Sequence, residues 1–317
     1  MKRTIISFSI AFLVTASFIA CQKEKTISPV VEYPSEMNFN ILSPGIQTKV
    51  NGTGFENGDR IGVFVSDYVD ATTPMPLQIS GNRATNVATL FDGQSWTPER
   101  VIYWGEGKSD VYATFPRIED LSDVNSQPFS VAIDQSIAAQ SGASAAYELS
   151  DLLWAKSEGV SRTDGVVNLP MRHVMSRLVV RIVAGEKYIG SLPEDATILL
   201  HSTVPDARVD LEKGSVEKDP YAGTKSIKMR NLGIKTVGGV SGVTYEAIVV
   251  PQMLETSVPL IEIKSKSVSY LLEDSFSFRP GISYTYTATL NASTTAISVD
   301  IGCEVDDWNS TGGSGSG

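Results

Sequence analysis

Between residues 297 and 305 apolar and polar side chains alternate without a break. Ile297, Val299, Ile301, Cys303 and Val305 are separated by Ser298, Asp300, Gly302 and Glu304. In an extended strand successive side chains point to opposite faces, whereas a helix would scatter these five residues around its circumference. The C-terminal part of the chain therefore calls for a half-buried strand. The same period governs its start, where Met37, Phe39 and Ile41 are spaced by Asn38 and Asn40. Between these two segments, further strands are predicted at 61–65, 87–91, 101–104, 111–115, 129–133, 166–169, 178–183, 197–201, 246–250, 260–263 and 283–290. Most are bounded by Gly, Pro, Asn or Asp, and 26 glycines with 15 prolines supply turns for many short elements. Residues 145–156 alone have helical spacing, with Ala146, Leu149, Leu152 and Leu153 at three- and four-residue steps. The fold class is all-β with one short helix packed on a sheet.

With 42% of its residues hydrophobic, the chain can build one large or two medium cores. The polar segment running from Lys156 to Gly165 is followed by a new apolar run. It is the expected boundary between two β-sandwich domains, 36–160 and 161–309. Residues 310–317 contain only Ser, Thr and Gly and form a tail.

The N-terminus reads as an export signal. Lys2 and Arg3 precede an apolar run over 5–20, too short and too weakly apolar for a membrane-spanning helix. The run ends in Phe18, Ile19, Ala20 and Cys21, and a small residue directly before a lone Cys resembles a bacterial lipobox. It departs from the usual lipobox at Phe18 and Ile19. On this reading residues 1–20 are a signal peptide, Cys21 carries lipid, and 21–35 form a polar tether. Ordinary signal cleavage before an unmodified Cys21 is the alternative. Cys303 is the only other cysteine, so a lipidated Cys21 leaves no disulfide within the chain.

Several function classes lose support here. Acidic residues outnumber basic ones 36 to 26, and removing Lys2 and Arg3 with the leader makes the balance more negative. Nucleic acid is an unsuitable partner for such a surface. The segment Gly105-Glu106-Gly107-Lys108-Ser109 lacks the earlier glycine of a phosphate loop, a position held by Ile102. His173 and His201 are the only histidines and neither has a His or Cys nearby in metal-ligand spacing. His173 reads as a buried, hydrogen-bonded histidine. No Gly-x-Ser-x-Gly elbow marks a hydrolase. Paired carboxylates such as Asp306 with Asp307 read as solvated charge. No catalytic, metal or cofactor site is assigned, and the chain is not expected to be an enzyme. Asn51, Asn291 and Asn309 stand in glycosylation triplets and are read as turn residues. Tyr68, Trp96 and Tyr221 fall in loop-like contexts where a ring could stack on a sugar, although packing is the commoner use of a lone aromatic.

Several segments taken in order resemble the fimbrillin family, the lipoprotein pilins and pilin-like surface proteins of Bacteroides-type bacteria. They are Phe55 to Val65, Ile102-Tyr103-Trp104, Val111 to Pro116, Ser150 to Ala155, and Leu169 to Leu178 with its central His173 and Arg177. Val249-Val250-Pro251-Gln252, Phe278-Arg279-Pro280-Gly281 with Tyr284-Thr285-Tyr286, and Trp308 complete the series. With the lipobox, the resemblance runs from Cys21 to Trp308. It implies two transthyretin-like β-sandwich domains, export as an outer-membrane lipoprotein, and assembly into a fimbrium in many members.

The leading expectation is a fimbrial subunit acting in adhesion, with other fimbrial subunits as partners and the outer membrane reached through lipid. The alternative is a monomeric outer-membrane lipoprotein that binds host glycan or protein through its loops. In polymerising fimbrillins a first strand is removed by cleavage at a basic residue in the loop behind it. Here Met37, Phe39 and Ile41 would be that strand and Lys49 the processing site, where oral members offer Arg. A permanent first strand is the competing reading. The strand carrying Ile297, Val299, Ile301, Cys303 and Val305 would then be the donor that completes a neighbouring subunit, or else the last strand of its own domain.

Overall fold

The computed structural model describes residues 35–44, 54–140, 144–265, 268–293 and 296–309. The first strands are β1 (Asn38–Leu42), β2 (Arg60–Asp67), β3 (Ala84–Phe91), β4 (Trp96–Pro98), β5 (Ser109–Phe115) and β6 (Gln127–Ser130). A single helical turn and a half, α1 (Ala146–Ser150), leads into β7 (Leu153–Val160), β8 (Val166–Pro170) and β9 (Arg172–His173). Next come β10 (Ser176–Ala184), β11 (Thr197–Thr203), β12 (Asp206–Asp210), β13 (Ser215–Lys218), β14 (Lys225–Lys228) and β15 (Arg230–Val237). The chain closes with β16 (Val240–Val249), β17 (Gln252–Ser265), β18 (Val268–Phe278), β19 (Ile282–Ser293) and β20 (Ala296–Asp307).

Five sheets result. A six-stranded antiparallel sheet has the order β4-β3-β2-β5-β7-β9, and β1 pairs with β8 alone, in parallel. The second half contributes a five-stranded sheet, β15-β16-β10-β19-β20, and a four-stranded sheet, β14-β11-β17-β18. A small sheet, β13-β12-β6, ties the two halves of the chain together, because β6 precedes α1 and β12 lies far beyond it.

The period-two pattern divides the interior into two cores. In the six-stranded sheet, Ile61, Val63 and Val65 of β2, Val111, Ala113 and Phe115 of β5, and Leu153 and Ala155 of β7 enter one cluster. Their alternates Phe64, Tyr112 and Trp154 enter the other. A sheet covered on both faces needs apolar residues at every position, which is why the middle of β2 shows no polar interruption. The first core is closed on its far side by Met37, just before β1, Ile41 of β1, and Val167 and Leu169 of β8. The second is shared by Leu178, Val180 and Ile182 of β10, Tyr284 and Tyr286 of β19, and, from the four-stranded sheet, Ile198, Leu200 and Leu260.

Three local expectations change. The helix is five residues long and ends at Ser150; Leu153 begins a strand whose alternates Leu153 and Trp154 go to different cores. The polar segment after Lys156 continues that strand to Val160. Its ladder position is fixed by Asp110, only 2% exposed, which accepts the Gly159 N–H (2.8 Å) and the Tyr68 hydroxyl (3.0 Å) and pairs with Lys156 (3.2 Å). A buried carboxylate needs such partners, so polar residues are drawn into the sheet rather than released as a linker. Residues 101–104 form no strand; Tyr103 makes an isolated antiparallel bridge to Glu36.

Candidate functional site: the two terminal strands

β1 is short, and almost everything that holds it is apolar packing plus one ladder. Met37 (4% exposed) and Ile41 (8%) point into the first core, Phe39 is half-buried against it, and Asn38 faces solvent. The side chain of Asn40 donates to Asn168 of β8 at 2.8 Å. At its entrance the Met37 N–H donates to the Ile102 carbonyl (2.7 Å) and the Trp104 N–H to the Ser35 carbonyl (2.9 Å). At its exit the Met171 N–H donates to the Leu42 carbonyl (2.9 Å). Burial of two aliphatic side chains contributes roughly 1.5–3 kcal/mol each, with about 1 kcal/mol for each ladder hydrogen bond. Beside β1 runs a groove of about 560 Å³ lined by the strand itself and by Phe55, Phe91, Trp96 and Pro98. The rings of Phe55 and Phe91 lie 5.1 and 4.9 Å from that of Trp96.

β20 differs in length, pairing and exposure. It is twelve residues long, pairs over its whole length with β19, and is the outer strand of its sheet. Cys303 stands opposite Tyr286 and Val305 opposite Tyr284. Both tyrosines are buried, yet Val305 is 52% exposed and Cys303 is exposed. Facing strand pairs share a side of the sheet, so this end of β20 lies on the core side but beyond the reach of the opposite sheet. Of Ile297, Val299 and Ile301 the backbone pairing is described and nothing further. Desolvation, ahead of the nearby charges of Asp274 and Glu304, holds the Cys303 thiol above its ordinary range, which is the opposite of what an activated nucleophile needs.

Cys21 and Lys49 lie outside the described residues. Met37, Phe39 and Ile41 come together as expected of a strand, in a different sheet from Cys303 and Val305. Of the three aromatics considered for sugar stacking, Trp96 packs on Phe55 and Phe91, and Tyr68 is hydrogen-bonded to Asp110. Only Tyr221 projects freely, at 93% exposure. His173 is buried, with Nδ1 3.0 Å from Asp151. His201 lies on the outer face of the four-stranded sheet between Ser226 (2.7 Å) and Glu262 (2.9 Å). Hydrogen bonds from Ser269, Lys264 and His201 hold the Glu262 carboxyl down to about 2. Among the described residues no three potential ligands gather to hold a metal ion. Sequence reasoning missed the aromatic groove and the role of Asn309; the former carries no linear signal, because Phe91 and Trp96 meet through the β3–β4 turn and Phe55, ahead of β2, joins them only in the fold.

Comparison with known proteins completes the picture. Curated sequences offer no match. Among solved structures, a candidate cell adhesion protein of Bacteroides ovatus is 15% identical and superposes with a TM-score of 0.64, covering 87% of this chain and 98% of its own. One from Bacteroides uniformis is 20% identical, with a TM-score of 0.57 over 80% and 93% of the two chains. A fimbrial protein of Bacteroides vulgatus is 11% identical, with a TM-score of 0.50 over 85% and 99%. At these identities the likeness is one of fold. The sequence model described as fimbrillin-like matches residues 48–308, most of the chain, and on that ground the protein belongs to the fimbrillin-like family.

Proposed function

We propose that the protein is a surface lipoprotein acting as a fimbrial subunit in adhesion, and that it assembles with other subunits by strand exchange after N-terminal processing. The observation that carries this reading is the state of β1. It is a five-residue strand in a two-stranded sheet, it plugs the first core with Met37 and Ile41, and Lys49 follows it within a few residues. Its attachment, several kcal/mol by the magnitudes above, is too strong for spontaneous loss while the chain is continuous. A cut after Lys49 makes the same attachment intermolecular and removes its high effective concentration. A longer strand from a neighbour then competes for the ladder of β8 and the space beside Val167 and Leu169. β20 offers five alternating apolar residues against the three from Met37 to Ile41.

In this reading the two cores correspond to transthyretin-like domains, 36–160 and 161–309, with β8 and β9 crossing back onto the first. Lipid on Cys21 delivers the chain to the outer membrane, since two or three acyl chains anchor far more firmly than one. A monomeric lipoprotein binding host glycan or protein is the second reading, favoured by the pairing of β20 with its own β19 and by the exposed ring of Tyr221. N-terminal sequencing of protein from a polymer fraction separates them. Exchange predicts a chain beginning at Val50, and polymers whose subunits begin before Met37 would overturn it. Cys21→Ser should release the protein from membranes, and a variant that stays bound would contradict lipid anchoring.

A further inference from the structure

The C-terminal end of β20 is held by a set of contacts that its pairing with β19 does not require. The Trp308 ring stacks on the imidazole of His173 with centroids 3.5 Å apart and planes within 6°. The guanidinium of Arg177 lies 4.9 Å from the Trp308 ring centroid. Asp151 fixes the imidazole from its edge at 3.0 Å. Asn309 then acts as a backbone mimic: its Oδ1 accepts the His173 N–H at 2.7 Å and its Nδ2 donates to the His173 carbonyl at 3.1 Å. The Trp308 N–H donates to the carbonyl of Gly281, whose own N–H donates to Met175. Gly281 is itself part of the arrangement. Its φ is +70°, and a Cβ there would stand 2.4 Å from Asn309 Nδ2 and 3.2 Å from the His173 carbonyl.

These contacts join the end of β20 to β9, the outer strand of the six-stranded sheet. They also stand next to exposed Val305 and Cys303. We propose that Trp308 and Asn309 form a latch that holds β20 in the chain's own sheet, and that opening this latch is the step that frees the strand. The second clause rests on the strand-exchange reading above; the first does not.

The test is hydrogen exchange of residues 296–307 in the monomeric full chain. Trp308→Ala and, without leaving a large cavity, Asn309→Ala should each speed exchange in this strand about tenfold, the equivalent of losing one aromatic stack or one pair of part-buried hydrogen bonds. Exchange in β10 and β16 should not change. Gly281→Ala should reproduce the effect by displacing Asn309, and Trp308→Phe should largely restore protection by keeping a stacked ring. Unchanged exchange in both alanine variants would overturn the latch, as would an equal rise in β10 and β16, which would mean general destabilisation. Polymer formation is scored separately: variants that open faster should polymerise faster. A wild type that never polymerises would defeat the assembly reading and leave the exchange result standing.

Discussion

The first and last strands of this chain share a period and little else. β1 is five residues long, Ile41 is covered and Phe39 half-buried, and among the described residues a second short strand is its sheet partner. β20 has more than twice the length and a continuous ladder, yet its apolar side at Cys303 and Val305 is left open and its end is pinned by Trp308 and Asn309. β1 is therefore held by burial added to a short ladder, and the Cys303–Val305 end of β20 by its ladder and a terminal clasp. Burial is lost all at once when a strand departs, whereas a ladder can be surrendered residue by residue after its end is released. The difference makes β1 the plug and β20 the strand with unused apolar surface to offer.

The largest effect that sharpens this contrast is expected at Ile41. Ile41→Ala should lower unfolding free energy by about 2–4 kcal/mol, since it removes buried methylenes and leaves a cavity beside Leu169; chemical denaturation measures it. A loss below about 1 kcal/mol would mean that the plug contributes little. A smaller effect separates the regions by pH. Glu262, on the sheet facing that of β20, has its carboxyl held down to about 2 from an ordinary 4.5. A depressed carboxyl stabilises the fold above its unfolded value, and the contribution is lost as pH falls from about 4.5 through about 2. Glu262→Gln should thus be less stable than the parent at neutral pH and match it near pH 2, while the Ile41→Ala deficit should persist throughout. A constant gap for Glu262→Gln would show that its hydrogen bonds do not favour the ionised form. Smallest is Val305→Ala, expected within about 0.5 kcal/mol of the parent because half of the side chain is already in water. A large loss there would erase the contrast.

Much of this was legible in the sequence because alternation reports a half-buried strand directly. The strands around Val180 and Tyr286 were visible for that reason, as were β1 and β20, whereas those around Val63 and Val111 showed as short apolar runs between turn residues. What failed did so where two cores share one strand: Ala146, Leu149, Leu152 and Leu153 fit a helical spacing, but Leu153 and its neighbour Trp154 serve opposite faces of a sheet. β15 was invisible because most of it is solvent-exposed and carries no pattern. His173, Arg177 and Trp308 were recognisable as family-like positions, but their stacking is a three-dimensional fact. Asn309 was read as a turn residue, and nothing in its neighbours says that its amide would bridge the backbone of a residue 136 positions away.

The claim that β1 leaves during assembly is tested most directly by preventing it. Asn40 and Asn168 are paired across the β1–β8 ladder, at the spacing of about 5 Å that a disulfide spans. In a Cys303→Ser background, Asn40→Cys with Asn168→Cys should bond β1 to β8, a link that intact mass verifies. Electron microscopy of cells displaying the bonded protein should then show the protein on the surface without fibres, while each single-cysteine variant forms them. Fibres as abundant from the bonded double variant as from the single variants would contradict strand exchange at β1.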